Sequence, residues 1–240
     1  MVIKADMHIH TCLSPCAEIS ISPKRAAEKA YREGLMIIFI TDHNSMENAE
    51  AAMNAAEKYE NLKVYPGMEI TSREEVHTLA LFENIKDAYA VQYEIYKYIP
   101  DIISEKESHD QVIANENDEV EGYCSKSLFS AVDRNIDYIV SLIHENNGLA
   151  VAAHIDRPSF SVISQLGFIP ENLNYDALEV SPNTGLDKAK TIYKEYSDKY
   201  NFITGSDSHW LDNIGKAYTE FDAMDNSFSS FASFLKKKIN

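Results

Sequence analysis

The sequence predicts an α/β fold with a parallel sheet, and three observations carry that reading. Apolar runs of strand length alternate with helical stretches about seven times. Polar residues follow nearly every apolar run. Of the eight histidines, His8, His10, His43, His77, His154 and His209 lie on or directly after those runs. Repeated strand–helix alternation specifies a parallel sheet covered by helices. Closing such a sheet into a barrel brings the ends of its strands, where reacting residues sit, to one face. An open sheet gathers only those near a switch point.

The elements follow in order. Residues 2–5 start a strand that runs into Asp6-Met7-His8-Ile9-His10-Thr11. On a strand, residues two apart share a face, so Asp6, His8 and His10 are expected to point the same way. Two imidazoles on one rigid face suit one metal ion, with a carboxylate orienting them. Residues 12–21 read as a loop. Ser22-Pro23 reads as the cap and first turn of a helix that Gly34 stops. Residues 35–40 are a continuous apolar run, as in a strand buried on both faces. They lead to Thr41-Asp42-His43-Asn44, with Ser45 expected to cap an alanine-rich helix to residue 59. A strand over 62–65 leads to Gly67-Met68-Glu69-Ile70, and a strand over 75–82 carries His77.

From 84 to 135 the alternation breaks, and the chain reads as an acidic insertion over one end of a single 240-residue domain. It holds a tyrosine-rich helix over 86–99 and a hairpin with arms 111–114 and 119–121. A helix over 136–147, stopped by Gly148, precedes a strand over 149–153 that ends at His154. Then come a short helix over 159–166, a strand over 177–180, a helix over 186–200, and a strand over 202–204 ending in Gly205-Ser206-Asp207-Ser208-His209. A final helix covers 228–239, with Lys236, Lys237 and Lys238 near its negative end. His109 reads as solvated surface, His144 as structural or exposed, and Trp210 and Cys124 as packing.

Composition narrows the function. Hydrophobic residues make up 45% and charged residues 25%, enough for an ordinary core. The net charge of −16 argues against a large nucleic-acid footprint or an anionic membrane surface. No run of about 18 apolar residues suggests a membrane span. Cys12, Cys16 and Cys124, with no leader before the first strand, suggest a reducing cytoplasm. The oligomeric state is open.

The mixture of imidazoles with Asp6, Asp42, Glu69 and Asp207 suits Zn²⁺, Mn²⁺ or Fe²⁺ better than Ca²⁺ or Mg²⁺. The donors exceed what one tetrahedral ion uses, so two or three metals per chain are expected. In this order, DMHIHT, TDHNS, GMEI, VHTLALF, AAHIDRP and GSDSH resemble the polymerase and histidinol phosphatase (PHP) family from residue 1 to about 210. The resemblance implies a distorted seven-stranded β/α barrel with a trinuclear metal site. It implies that His8, His10, Glu69 and Asp207 hold one ion, and that Glu69 bridges to a second completed by His77 and His154. His43 and His209 match ligands of a third. Family members often place a ligand where this chain has Pro15; Glu18 or Cys16 could substitute.

The expected chemistry is hydrolysis of a small phosphorylated molecule, of nucleotide or sugar-phosphate type, by metal-bound hydroxide. Arg157 is expected to clamp a phosphate oxygen or to pair with Asp156. Asp207 and His209 are expected to take part in catalysis. Asp6 and Asp42 are expected to orient ligands or cap loops. A histidinol-phosphate phosphatase, an exonuclease and a non-catalytic metal-binding regulatory module are the alternatives.

Overall fold

The computed structural model of the chain describes residues 1–102 and 110–236. Eight strands make one sheet that nearly closes into a barrel. In spatial order they are β10 (Thr219–Asp222), β1 (Val2–Ile9), β2 (Ile37–Ile40), β3 (Lys63–Thr71), β4 (His77–Leu81), β7 (Leu149–Ala152), β8 (Ala177–Glu179) and β9 (Asn201–Ile203). Ser208, beyond β9, closes the ring by donating its N–H to the His8 carbonyl (3.3 Å) and accepting from the His10 N–H (3.1 Å). The barrel expected from the sequence is therefore present, and β10 joins the seven expected strands as an eighth.

The sheet is not wholly parallel. β4 runs antiparallel to both β3 and β7, and β10 antiparallel to β1. The cause is chain length. The β3–β4 connection is a tight turn in which Ser72 N–H bonds the Val76 carbonyl (2.9 Å). A parallel return needs a crossover of a dozen residues or more.

A bulge in β1 decides where the histidines point. Asp6 pairs with Ile38 and Ile9 with Ile40, so Met7 and His8 together lie opposite the single Phe39. One extra residue re-aims the side chains beyond it. The expectation that Asp6 shares a face with His8 and His10 fails for this reason.

Apolar side chains fill two layers. Ile3, Ala5, Met7, Phe39, Leu79, Leu81 and Val151 pack with Phe228, Phe231 and Leu235 of helix α8 (Phe228–Leu235). α8 lies beside the chain start, where Ala223 N–H bonds the Met1 carbonyl, so this core fills the end away from the histidines. Fully burying each of these three side chains contributes roughly 1.5–3 kcal/mol. The other layer packs the outer sheet face against helices α1 (Pro23–Arg32), α2 (Ala49–Ala56), α3 (Ile85–Ile95) and α4 (Ile136–Glu145).

Several boundaries differ from the sequence reading, each for a local reason. α2 starts at Ala49, after Asn48 rather than Ser45, because the Ser45 hydroxyl bonds Tyr96 Oη (2.7 Å). The 136–147 helix ends with Asn147 in the left-handed region at φ 60°. The 159–166 helix shortens to α5 (Val162–Leu166), because Phe160 bends toward β4 and its carbonyl accepts from His77 N–H (2.9 Å). The 186–200 helix breaks at Tyr193 into α6 (Leu186–Ile192) and α7 (Lys194–Ser197). The tyrosine-rich helix ends as α3, followed by one 3₁₀ turn, Tyr96–Tyr98.

The hairpin appears as β5 (Val112–Ala114) and β6 (Val120–Tyr123). It is tied to the barrel where Val112 N–H bonds the Cys12 carbonyl (2.9 Å) and Ala114 N–H bonds Asn48 Oδ1 (3.0 Å). His109, Lys237 and Lys238 lie outside the described residues. Among the described residues no helix is long and apolar enough to cross a membrane. The three cysteines are free thiols.

Gly67 marks the tightest strand approach. A Cβ there would meet Thr41 Cγ2 at 2.7 Å and the Ala80 carbonyl oxygen at 3.2 Å. Gly67→Ala is therefore expected to destabilise the fold by about 1–3 kcal/mol, read as a lower denaturant midpoint at unchanged slope.

Candidate metal centre

Glu69, 1% exposed near the end of β3, is the centre of the site. Imidazoles from four other segments surround it. His77 Nδ1 (2.7 Å), His154 Nε2 (3.1 Å) and His8 Nε2 (3.3 Å) face Oε1. His43 Nδ1 (3.0 Å) and His10 Nε2 (3.4 Å) face Oε2. Asp207 Oδ1 lies 3.3 Å from His8 Nε2 and 3.2 Å from His10 Nε2. Burial pushes the Glu69 carboxyl up, but His77, His8 and His43 together hold it well below the usual range.

Hydrogen bonds behind the rings set their tautomers. His8 Nδ1 donates to Glu179 (2.9 Å to Oε2), which turns Nε2 toward Glu69 and Asp207. His10 Nδ1 donates to Ser14 Oγ (3.0 Å). That hydroxyl spends its proton on Asp42 Oδ1 (2.6 Å), so it accepts from His10 and from His43 N–H (3.1 Å). Asp42 also accepts from the Thr11 N–H and hydroxyl, each at 2.7 Å. It thus caps the loop after β1 and, through Ser14, orients the His10 ring at once.

Asp6 instead fixes the loop that carries Asp207, accepting from Ser206 N–H (2.9 Å) and Gly215 N–H (3.3 Å). Burial raises its pKa to about 6. Gly205 allows the close approach here: a Cβ would stand 3.0 Å from both Glu179 Oε1 and His8 Cβ. His154 and Asp207 take φ of 28° and 45°, left-handed conformations that non-glycine residues seldom adopt.

Among the described residues, three groups hold donor atoms within 4.8 Å of one another: His8/His10/Asp207, His43/Glu69/His77 and His10/His43/His209. His8 Nε2, His10 Nε2 and His77 Nδ1 are buried and make no hydrogen bond, although carboxylate oxygens lie nearby. Buried polar atoms are seldom left so. Nitrogens aimed at a common point rather than at a partner fit a cation between them, and the N/O donor set suits a transition metal.

The sequence-derived candidates divide accordingly. His8, His10, His43, Glu69, His77, His154, Asp207 and His209 are brought together. Glu18 is exposed and belongs to none of the groups. The reason is that His10 lies with His43 and His209, so three imidazoles converge without a donor near Pro15. Cys16 lines the adjoining cavity, its thiol pushed up to about 12 by burial and by the Glu69 charge. Arg157 pairs with Asp207 (2.5 Å), not with Asp156, which accepts from Ser181 and Thr184. Trp210 is 60% exposed rather than packed. Glu179 went unnoticed in sequence; its only signal was a carboxylate inside a buried apolar run.

The PHP domain family model matches residues 6–231. The chain belongs to the PHP family. That membership carries the metal-dependent hydrolase class, which the His, Asp and Glu groups fit.

A lesion-specific endonuclease from Pyrococcus furiosus superposes with a TM-score of 0.75 at 19% identity, covering 98% of this PHP chain and 56% of that one. The chain thus spans little more than half of that endonuclease. A candidate metal-dependent phosphoesterase from Bifidobacterium adolescentis gives 0.58 at 16% identity, with 96% and 95% covered. An amidohydrolase from Chromobacterium violaceum, solved with sulfate and no metal, gives 0.63 at 16% identity, with 96% of each chain covered. At such identities the likeness is one of fold. Curated proteins give no match.

In the metal-free protein, burial lowers the His8 pKa, but Glu179, Asp207 and Glu69 outweigh it and raise it well above 6.5. His8 therefore carries a proton near neutrality, and a metal must expel it. Calorimetric Zn²⁺ titration in buffers of different ionisation enthalpy should show proton release, with affinity rising from about pH 6 to about pH 8. Glu179→Gln should weaken metal binding by roughly 10–100-fold. Proton-neutral uptake would contradict the assignment.

Proposed function

We propose that this chain is a metal-dependent phosphoesterase acting on a small phosphorylated molecule of nucleotide or sugar-phosphate type. The observation that carries the reading is Glu69 buried among imidazoles whose ring nitrogens face it and, for His8 and His10, Asp207 as well, beside a partly exposed arginine. His8, His10, Glu69 and Asp207 would hold one divalent ion, and Glu69, His77 and His154 a second. His43 and His209, with His10, would hold a third. Zn²⁺, Mn²⁺ and Fe²⁺ all suit these donors. Such ions, when bound, lower the pKa of water and supply Lewis acidity to phosphoryl oxygens.

The chain's own residues do the rest. Arg157 has a half-exposed side chain, so its guanidinium can hold Asp207 with one N–H and offer others to a phosphate oxygen. His209 donates Nδ1–H to the Asp207 carbonyl (2.9 Å), leaving Nε2 bare. Burial and the neighbouring His10 lower its pKa to about 4, so at neutral pH the ring serves as ligand or proton acceptor, not as acid. The cavity over His43, His77 and His209 is about 170 Å³, with Leu128, Phe129 and Phe160 as its apolar side. Its small size and the −16 net charge favour a small substrate over a nucleic-acid strand.

Metal-loaded protein is expected to hydrolyse p-nitrophenyl phosphate or its bis-ester, and the preferred ester defines the substrate panel. Glu69→Ala should lower turnover by about 10³-fold or more and reduce metal content in the same sample. Full metal occupancy without turnover of either ester would refute the reading.

A further inference from the structure

Three exposed aromatic side chains border the metal centre, each set against a different site histidine. Phe129 is 63% exposed, with its ring centre 6.3 Å from that of His43. Phe160 is 42% exposed and stacks on His77 at 4.8 Å. Trp210 is 60% exposed and lies 6.2 Å from His209. Scattered exposed apolar residues are ordinary; three gathered around one polar centre from three separate segments are not.

Two of the rings are held in place by backbone. Phe160 has φ 56°, a region that a bulky residue rarely takes, and its carbonyl is pinned by His77 N–H (2.9 Å). Strain of this kind persists where the surroundings enforce it, and it concentrates at ligand clamps. Phe129 is pinned on both sides, since Asn44 Nδ2 donates to the Leu128 carbonyl (2.9 Å) and the Ser130 carbonyl (3.1 Å). Asn44 in turn follows His43 directly, so this clamp and the metal centre are built on the same loop.

The cavity of about 170 Å³ has room for the phosphoryl end of a substrate, and the esterified group must then lie at the rim. There it meets phenyl faces. A bare sugar offers them hydroxyls, whereas a base offers a π face. We propose that the substrate is a nucleotide whose phosphate enters the histidine-lined cavity while its base stacks on Phe129 and Phe160. This rests on the phosphoesterase reading and chooses between its two substrate types.

Adenosine 5′-monophosphate and ribose 5-phosphate share their phosphate ester and differ by the base. Both are titrated into Mn²⁺-loaded protein, following the emission of Trp210, the sole tryptophan, and inhibition of p-nitrophenyl phosphate hydrolysis. The nucleotide should bind about tenfold tighter or more. Phe129→Leu and Phe160→Leu should each weaken nucleotide binding more than ribose 5-phosphate binding and so remove most of that difference. Equal binding of the two ligands by the unmodified protein would overturn the proposal, even if a variant failed to fold. So would a preference that survives both substitutions. A preference seen by fluorescence without any ester hydrolysis would support the aromatic subsite and count against the phosphoesterase reading alone.

Discussion

One buried carboxylate, Glu69, sets the terms for this fold. Removing an ion from water costs several kcal/mol even after relaxation, and only well-placed opposite charge or hydrogen bonds offset it. Here the offset comes from His8 and His10 on and after β1, His43 after β2, His77 on β4 and His154 after β7. Those segments meet only when the sheet curls into a barrel. The closure through Ser208 lies beside His8 and His10, so the same backbone bonds that complete the ring also bring Asp207 to the site. Any metal bound by these residues would be coupled to folding, because the unfolded chain has no preformed cluster.

Around that centre, further buried polar residues hold the converging side chains in place. Glu179 holds His8, the Asp42–Ser14 pair holds His10, and Asp6 holds the loop of Asp207. Each is buried, so each interaction is little screened by solvent. Asn44 extends this control to the segment carrying Leu128 and Phe129, and Thr71 N–H bonds Asn44 Oδ1 in return (3.0 Å). The wall of the cavity is thereby referenced to the end of β3, two residues beyond Glu69.

The residues that converge on Glu69 were legible in the sequence because each sits on or at the end of an apolar run, where short motifs survive without knowledge of the fold. What linear spacing could not show was geometry between motifs. The bulge at Met7-His8 breaks the two-residue periodicity that put Asp6 with the histidines. His10 reaches toward His43 and His209, an approach that depends on barrel closure and that linear spacing does not show. The reversal of β4 was encoded in the short 72–76 turn, which leaves no room for a crossover helix. Glu179 and β10 carried little signal, one a lone carboxylate in an apolar strand, the other four residues, Thr219–Asp222, alternating buried and exposed.

Anomalous diffraction from crystals soaked in Mn²⁺ tests the central claim most directly. Two ions sharing Glu69 are expected, with a third near His10, His43 and His209 if that group also fills. Absence of any ion within bonding distance of Glu69, in crystals that bind Mn²⁺ elsewhere, would contradict it.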